Sequence, residues 1–373
     1  MHLMFVIDNG FCLKEGIYYG QAAHLVHVKN LHAFFDKISI IARDDSYASG
    51  YQEMPDYVDV TLVPKYNIWK LKRVLRKKIK ECDAAFCYGA NGYYASIVAK
   101  KAGKVVISYN GGDQREFCLS RGNLKGRLLA PIAGYMCKKS FDNADFGHYC
   151  DEFLIERYPT KGEMLACSAV DVTCYEKSLE DRIQKIQSLD LNGIVRVGLT
   201  GHTKNAQKGI DLAIKAMAEL GDQYILEIAG RGETEEYMSL AEKLGCAKRI
   251  HFLGALGPEQ LMNWLDTLDI YVQPSRIEGL PRATIEAMSR ACPVVSSNAG
   301  ALMKLVDSQY VFNLRKPEKF STLIRKLSDQ KEMLEQANKN FEKSKKYERK
   351  VRDPKYQAFY TKVVDEIKRR KSM

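Results

Sequence analysis

Residues 270–297 read IYVQPSRIEGLPRATIEAMSRACPVVSS. The stretch opens on a short apolar run, Ile270–Gln273, and closes on a second, Val294–Ser297. Pro274, Gly279 and Pro281 break the chain after the first run, and a helical pattern starts near Arg282. Strand, loop, helix and strand in that order form a βαβ crossover. Such a unit is right-handed, and it needs a parallel sheet covered on both faces.

The same alternation continues outward in both directions. On the N-terminal side, candidate strands are Leu3–Ile7, Ile38–Ala42, Val58–Val63, Ala84–Tyr88, Val105–Tyr109 and Met164–Ser168. A polar interval, Glu176 to Gln187, separates them from Ile194–Leu199, Tyr224–Ala229, Ile250–Leu253, Ile270–Gln273, Val294–Ser297 and Tyr310–Phe312. The fold class is therefore α/β, with two Rossmann-like doubly wound domains joined near residues 168–192. We place the first domain at 1–168 and the second at 190–335. A C-terminal stripe of Tyr347, Tyr356, Phe359, Tyr360, Val363, Val364 and Ile367, interrupted by Pro354, predicts a helical segment at 350–373 returning to the first domain. Sheets of this kind bind ligands beyond the C-terminal ends of their strands, so the site is expected in the cleft between the domains.

Composition narrows the class. The 373 residues are 46% hydrophobic and 28% charged, ordinary globular usage that excludes a disordered or fibrous chain. The longest nearly apolar run, Leu128 to Cys137, is about half of what crosses a bilayer. The first residues, Met1-His2-Leu3-Met4, show no basic n-region, so no signal peptide is read and a cytoplasmic location is expected. None of the ten cysteines forms a CxxC pair, which argues for reduced buried thiols rather than zinc or a disulfide framework.

Two carboxylates stand at the strand-to-helix junction quoted above. Glu278 shares the loop with Gly279, Leu280 and Pro281, and Glu286 lies in an early turn of the helix. A carboxylate accepts two hydroxyl hydrogen bonds in fixed directions, so the pair suits hydroxyl recognition. Gly279 lets a backbone N–H approach a ligand, and a helix N-terminus favours an anion. Glu286 alone also fits a first-turn acid stabilising the helix dipole. A second cluster follows an earlier strand, where Val197 to Gly201 leads to Lys208-Gly209 at the next helix start. Turn glycines, helix dipole and a lysine point charge together make a cradle for diphosphate. A third element, Gly230-Arg231-Gly232-Glu233, is a lone GxG. The third glycine of a dinucleotide fingerprint is absent, and no GxGxxG follows the first strand, which counts against a dehydrogenase.

With these residues in place, the chain resembles a known family. Glu278 and Glu286, with seven residues between them in an EGLPRATIEAM context and followed by Cys292-Pro293-Val294-Val295-Ser296-Ser297, resemble the EX7E signature of retaining nucleotide-sugar-dependent glycosyltransferases. The type is family four, with the two-domain GT-B fold. The match is strong over roughly 191–312 and thin in the first domain. It implies that Glu278 holds donor-sugar hydroxyls with help from the backbone at Gly279 and Leu280, that Glu286 binds the nucleotide ribose, and that Lys208 neutralises the departing diphosphate. Many members carry an arginine six residues before this lysine. Here it is His202, a weaker cation, which Lys204 could supplement. Gly201, Gly230, Gly232 and Gly254 fall where the family lines the nucleotide. On the acceptor side, Asn9 and Gly10 resemble a glycine-bearing loop after strand one. Gly111, Gly112 and Asp113 follow strand five, where many relatives place an acid facing the reacting sugar. Asp113 also fits a plain helix cap. Val170-Asp171 resembles an interdomain "GVD" segment, with Ala169 where glycine is usual. The donor implied is a UDP-sugar ahead of a GDP-sugar, with no essential metal and no other cofactor.

The net charge of +11 is unevenly spread. Residues 166–330 carry 20 basic and 21 acidic side chains, while Lys65 to Lys80 carries eight basic and no acidic ones. In that segment Ile68, Leu71, Val74, Leu75 and Ile79 make an apolar stripe, and Trp69, Lys70, Arg73, Arg76 and Lys77 fall outside it. The polar face is either a solvated surface or an address for an anionic membrane. The reading is a hexosyltransferase in cell-surface or capsular polysaccharide or glycolipid synthesis, peripheral on the inner membrane face, with a saccharide or lipid-linked acceptor and no nucleic acid. Two alternatives stay open: a same-fold nucleotide-sugar epimerase, and a non-catalytic basic protein binding membrane or polyanion.

Overall fold

The computed structural model describes the chain except residues 47–50, 66, 168–169, 171 and 191–192, and the side chains at 9, 22 and 23. The chain divides into two compact units, Met1–Ala169 with Asp353–Met373, and Val170–Arg352. Each is an α/β unit around its own sheet.

The first sheet contains β1 (His2–Lys14), β2 (Ile17–Gln21), β3 (Lys37–Asp44), β4 (Tyr51–Glu53), β5 (Val58–Val63), β6 (Ala84–Tyr88), β7 (Val105–Asn110), β8 (Phe146–Tyr149) and β9 (Glu163–Ala166). Its parallel part runs β5-β3-β1-β6-β7-β8-β9, and β2 and β4 add an antiparallel extension. Successive side chains on a strand point to opposite faces. Leu3, Phe5 and Ile7 accordingly join one core, and Met4 and Val6 join the other. The C-terminal helix (Arg349–Lys371) packs into the first of these through Phe359, Tyr360, Val363 and Ile367, one helical face. The Tyr360 hydroxyl meets His148 Nδ1 at 2.9 Å, and Arg370 pairs with Asp145 at 2.8 Å. Pro354 does not interrupt the helix. It lies in the second turn, where the missing N–H removes a single backbone bond near the end.

Strand one is longer than its sequence suggests. It bulges between Val6 and Gly10 and continues to Lys14, where Glu15 and Gly16 (φ +52° and +82°) turn it into a hairpin with β2. Gly10 therefore belongs to a strand paired with Arg43, not to a free loop, and the side chain of Asn9 lies outside the described residues.

The second sheet is wholly parallel: β10 (Val195–Thr200), β11 (Tyr224–Ala229), β12 (Ile250–Gly254), β13 (Ile270–Gln273), β14 (Val294–Ser297) and β15 (Val311–Phe312), in the order β12-β11-β10-β13-β14-β15. The winding reverses between β10 and β13. That is the topological switch point at which doubly wound sheets bind ligands. This unit is larger than expected at both ends. The polar interval Glu176–Gln187 is a helix docked on it, with Ile186 in the core. Arg182 is buried there, and its guanidinium donates to the carbonyls of Leu265 (2.8 Å), Leu268 and Arg290 (3.2 Å), which cap the C-terminal ends of two helices. At the other end, Met333, Ala337 and Phe341 carry the helix Gln330–Ser344 into the same core. The Val170-Asp171 segment lies partly outside the described residues.

Candidate active site

Both sides of the switch point carry the residues singled out by sequence. After β10 the chain runs through Gly201 to Asn205, a single helical turn (Ala206–Lys208), and Gly209, which starts the helix Ile210–Glu219. Gly209 has φ +71°, and a Cβ there would lie 2.0 Å from the Pro274 carbonyl, so no other residue fits without moving the loop after β13. The Lys208 loop is thus wedged against the Glu278 loop by the backbone itself. Arg276 reinforces the wedge. Its guanidinium grips the Asp211 carboxylate with two bonds of 2.8 and 2.7 Å and donates to the Ala206 carbonyl at 2.8 Å. Its amide donates to the Gln207 carbonyl at 2.7 Å. Burial works to raise the Asp211 carboxyl, but Arg276 prevails and holds it below the usual carboxylate range.

Glu278 is buried, at 8% exposure, and its two oxygens differ. Oε1 accepts from Lys208 Nζ (2.7 Å), Ser275 Oγ (2.7 Å) and Gln273 Nε2 (3.4 Å). Oε2 accepts from none of the described residues. A chain of neutral groups fixes the donors: the Tyr271 hydroxyl donates to Gln273 Oε1 at 2.7 Å, Gln273 Nε2 donates to Ser275 Oγ at 2.7 Å, and Ser297 Oγ donates to the Ser275 carbonyl. A charge-assisted cluster of this kind sets the carboxylate plane and leaves one oxygen to accept a hydroxyl. The amides of Gly279 and Leu280, half-exposed just before the helix Arg282–Ser289, donate to no group among the described residues. Gly300 closes the other side. Its φ is +52°, and a Cβ would sit 1.9 Å from the Glu278 carbonyl oxygen.

Glu286 is in the second turn of the helix Arg282–Ser289, half-buried, and its carboxylate receives no hydrogen bond from the described residues. Burial pushes its pKa up, opposed by Arg282. A half-buried carboxylate with no donor among the described residues is free to accept hydrogen bonds, and hydroxyl groups are suitable donors. Burial also keeps the Tyr271 hydroxyl protonated, and the fields of Glu286 and Glu278 add to that.

The glycines of the remaining loops have packing reasons of their own. A Cβ on Gly230 would strike the Gly201 carbonyl at 1.9 Å, and one on Gly232 would strike Thr203 Oγ1 at 2.1 Å. Gly230 donates to the Gly254 carbonyl at 2.7 Å, and Thr203 to the Arg231 carbonyl at 2.9 Å. The three turns at the β10, β11 and β12 ends are therefore stacked on each other. Lys204 does not join Lys208: its ammonium pairs with Glu233 at 2.8 Å in the open. His202 is exposed, and its Nδ1 accepts from the Lys204 amide at 3.2 Å.

In the first unit Asp113 is fully engaged. It caps the helix Gln114–Leu119 by accepting from the amides of Arg115 (2.9 Å) and Glu116 (3.2 Å). It also accepts from the Tyr158 hydroxyl at 2.7 Å and pairs with Arg157 at 2.5 Å. The cap reading is the one these contacts support, since both oxygens are taken. Gly112 donates to Asn110 Oδ1 at 3.0 Å, and Gly111 lies against Tyr88, which lines a pocket with Gly89, Tyr109, Asn110, Gln114 and Cys137 at the ends of β6 and β7. Asp8 sits beside it, accepting from the Ala90 and Asn91 amides that start the helix Gly89–Lys101. Sequence reading missed Gln273, Ser275 and the Arg276–Asp211 clamp. The clamp joins residues 65 apart, and only the fold brings them together.

Residues 185–344 match the family model described as glycosyl transferases group 1. Protein CapJ of Staphylococcus aureus is 28% identical over 343 residues, covering 87% of this chain and 85% of its own length. The lipopolysaccharide core biosynthesis mannosyltransferase LpcC of Rhizobium leguminosarum bv. viciae is 37% identical over 131 residues, 32% of this chain and 36% of that one. Among solved structures, the lipopolysaccharide outer core galactosyltransferase WaaB superposes with a TM-score of 0.66 at 13% identity, over 98% of this chain and 99% of that one. Anabaena Alr3699/HepE in complex with UDP gives 0.66 at 15% identity, over 99% and 100%. The second unit is thus similar to the glycosyl transferases group 1 over residues 185–344, and the chain is a glycosyltransferase with the GT-B fold.

Proposed function

We propose that this glycosyltransferase moves a sugar, with retention of anomeric configuration, from a nucleoside-diphosphate donor to a saccharide or lipid-linked acceptor in surface-polysaccharide synthesis. The observation that carries the reading is Glu278, with Oε1 held by Lys208, Ser275 and Gln273 and Oε2 open. Oε2 and the Gly279 and Leu280 amides accept and donate to donor-sugar hydroxyls. Lys208 shifts from Glu278 towards the diphosphate and stabilises its growing charge, a preorganised electrostatic effect. Glu286 accepts from the ribose. In the transfer step the acceptor oxygen bonds to the anomeric carbon, the bond from that carbon to the diphosphate breaks, and the acceptor proton passes to the departing phosphate oxygen. No protein nucleophile and no essential metal enter.

UDP is favoured over GDP as the donor nucleotide, supported by the UDP and UDP-glucose complexes of the Anabaena neighbour. The surface-polysaccharide setting is supported by relatives named for lipopolysaccharide core, O-antigen and capsular polysaccharide biosynthesis. The acceptor belongs to the first unit, at the Tyr88–Asn110 pocket, on the cytoplasmic side of the membrane. Thermal stabilisation by UDP, GDP and ADP tests the donor reading. A ligand at 100 times its Kd adds about 2.7 kcal/mol. UDP should raise the Tm of the wild type and not that of Lys208→Met; no shift with any of the three nucleotides would contradict the assignment.

A further inference from the structure

The helix Leu124–Asn143 buries one side and leaves the other apolar. Gly126, Ala130, Ser140 and Phe141 face inward. On the opposite side Leu124, Leu128, Ile132 and Tyr135 are exposed, from 53% for Ile132 to 72% for Leu124. At 3.6 residues per turn these four fall within an arc of about 80°. Four large apolar side chains in a row on one exposed helix face are not the scattered single exposures of an ordinary surface.

The setting of the stripe is cationic. The helices Ile68–Lys78, Gly89–Lys101 and Leu124–Asn143 lie side by side on one face of the first sheet. They carry six, two and four basic side chains respectively. The single carboxylate among them is Asp142, which pairs with Lys139 at 3.0 Å. Trp69, 87% exposed, stands near the start of the first of these helices. Of these twelve cations Lys78 and Lys139 pair with carboxylates among the described residues, and an apolar ridge flanked by the rest is complementary to a surface that is negatively charged outside and hydrocarbon beneath. Among the described residues no helix is long and apolar enough to cross a membrane, so such contact would be interfacial.

We propose that this three-helix face docks on an anionic lipid bilayer, with Leu124, Leu128, Ile132 and Tyr135 entering the headgroup layer. The inference deepens the reading of a membrane-side transferase. It adds an apolar element on a second helix to the cationic Lys65–Lys80 segment that the sequence singles out as a membrane address.

The test is sedimentation of the full chain with vesicles of phosphatidylglycerol and phosphatidylcholine in equal parts, and with phosphatidylcholine alone. The expected result is binding to the mixed vesicles, weakened by salt, with little binding to phosphatidylcholine. The double variant Leu128→Ser/Ile132→Ser keeps every charge and should lose roughly ten-fold or more in partitioning. Trp69 fluorescence should shift to the blue with wild type, since Trp264 is already buried. Wild-type affinity in the double variant would mean a purely electrostatic coat and overturn the proposal. So would failure to bind the mixed vesicles, or a dimer dissociated by the same substitutions. Stabilisation by UDP is measured in parallel. It should be the same in wild type and double variant, and its absence from both would count against the donor reading without touching the lipid result.

Discussion

Removing Lys208 tests whether the Lys208–Glu278 pair is the hinge between stability and chemistry. Glu278 is 8% exposed and Lys208 29%, with 2.7 Å between them. Stripping one partner from a fully buried pair costs about 3–5 kcal/mol. Here the lysine keeps contact with water, and Ser275 and Gln273 still donate to Oε1, so Lys208→Met should destabilise by about 1–2 kcal/mol. Glu278→Gln should cost about 1 kcal/mol, because the freed ammonium can turn to solvent. The double variant should fall short of the sum by about 1 kcal/mol, the coupling of a contacting pair. Activity should behave differently from stability. Loss of preorganised charge at the leaving group lowers kcat by about 10²–10³-fold, and Glu278→Gln should lower it too, since the two groups act on different atoms of the donor. Urea titrations of the four proteins measure the cycle, and sugar transfer measures the rates. Additivity within about 0.5 kcal/mol would mean that Lys208 and Glu278 are uncoupled, and a kcat for Lys208→Met within ten-fold of wild type would remove Lys208 from leaving-group stabilisation.

Other outcomes follow from the same geometry. Glu286→Gln should raise the Tm at neutral pH and weaken nucleotide binding. A carboxyl whose folded pKa is raised contributes stability below its unfolded pKa and loses it as pH rises through the folded one, so the gain over wild type should vanish in acid. Arg276→Lys removes the two-pronged grip on Asp211 and should reduce kcat more than Tm, as measured by transfer and calorimetry side by side. Gly300→Ala forces the Glu278 carbonyl aside and should lower kcat with a stability cost of about 1–3 kcal/mol. Asp113→Asn should cost about 1–2 kcal/mol in urea titration and leave transfer per folded molecule intact; loss of turnover in a folded variant would restore Asp113 to the chemistry.

Much of the second unit is legible in sequence because its signals are local. The quoted βαβ stretch, the glycine at 209 and the acids at 278 and 286 each declare a turn, a helix start or a loop within a few residues. The returning C-terminal helix is equally plain from its stripe of Phe359, Tyr360, Val363 and Ile367. What stays hidden depends on distance or on which way a face points. Glu176–Gln187 reads as a linker because its key buried side chain, Arg182, is polar and finds its carbonyl partners more than 80 residues away. The Arg276–Asp211 clamp is invisible for the same reason. Asp113 could be cap or catalyst until Arg157 and Tyr158 were seen to occupy it. Lys204 has the right charge, but Glu233 takes it. In Leu124–Asn143 the apolar residues surround most of the helix, so periodicity alone cannot separate the buried side from the exposed one.

We propose that the Glu278–Lys208 site breaks the bond between a sugar and a nucleoside diphosphate and passes the sugar on with its configuration kept. Proton NMR of the anomeric signals during incubation with UDP-sugars, with and without a saccharide acceptor, tests it most directly. Wild type should release UDP together with a product of unchanged anomeric configuration, and Glu278→Gln should give neither. Interconversion of the UDP-sugar without release of UDP, or a product of inverted configuration, would contradict it.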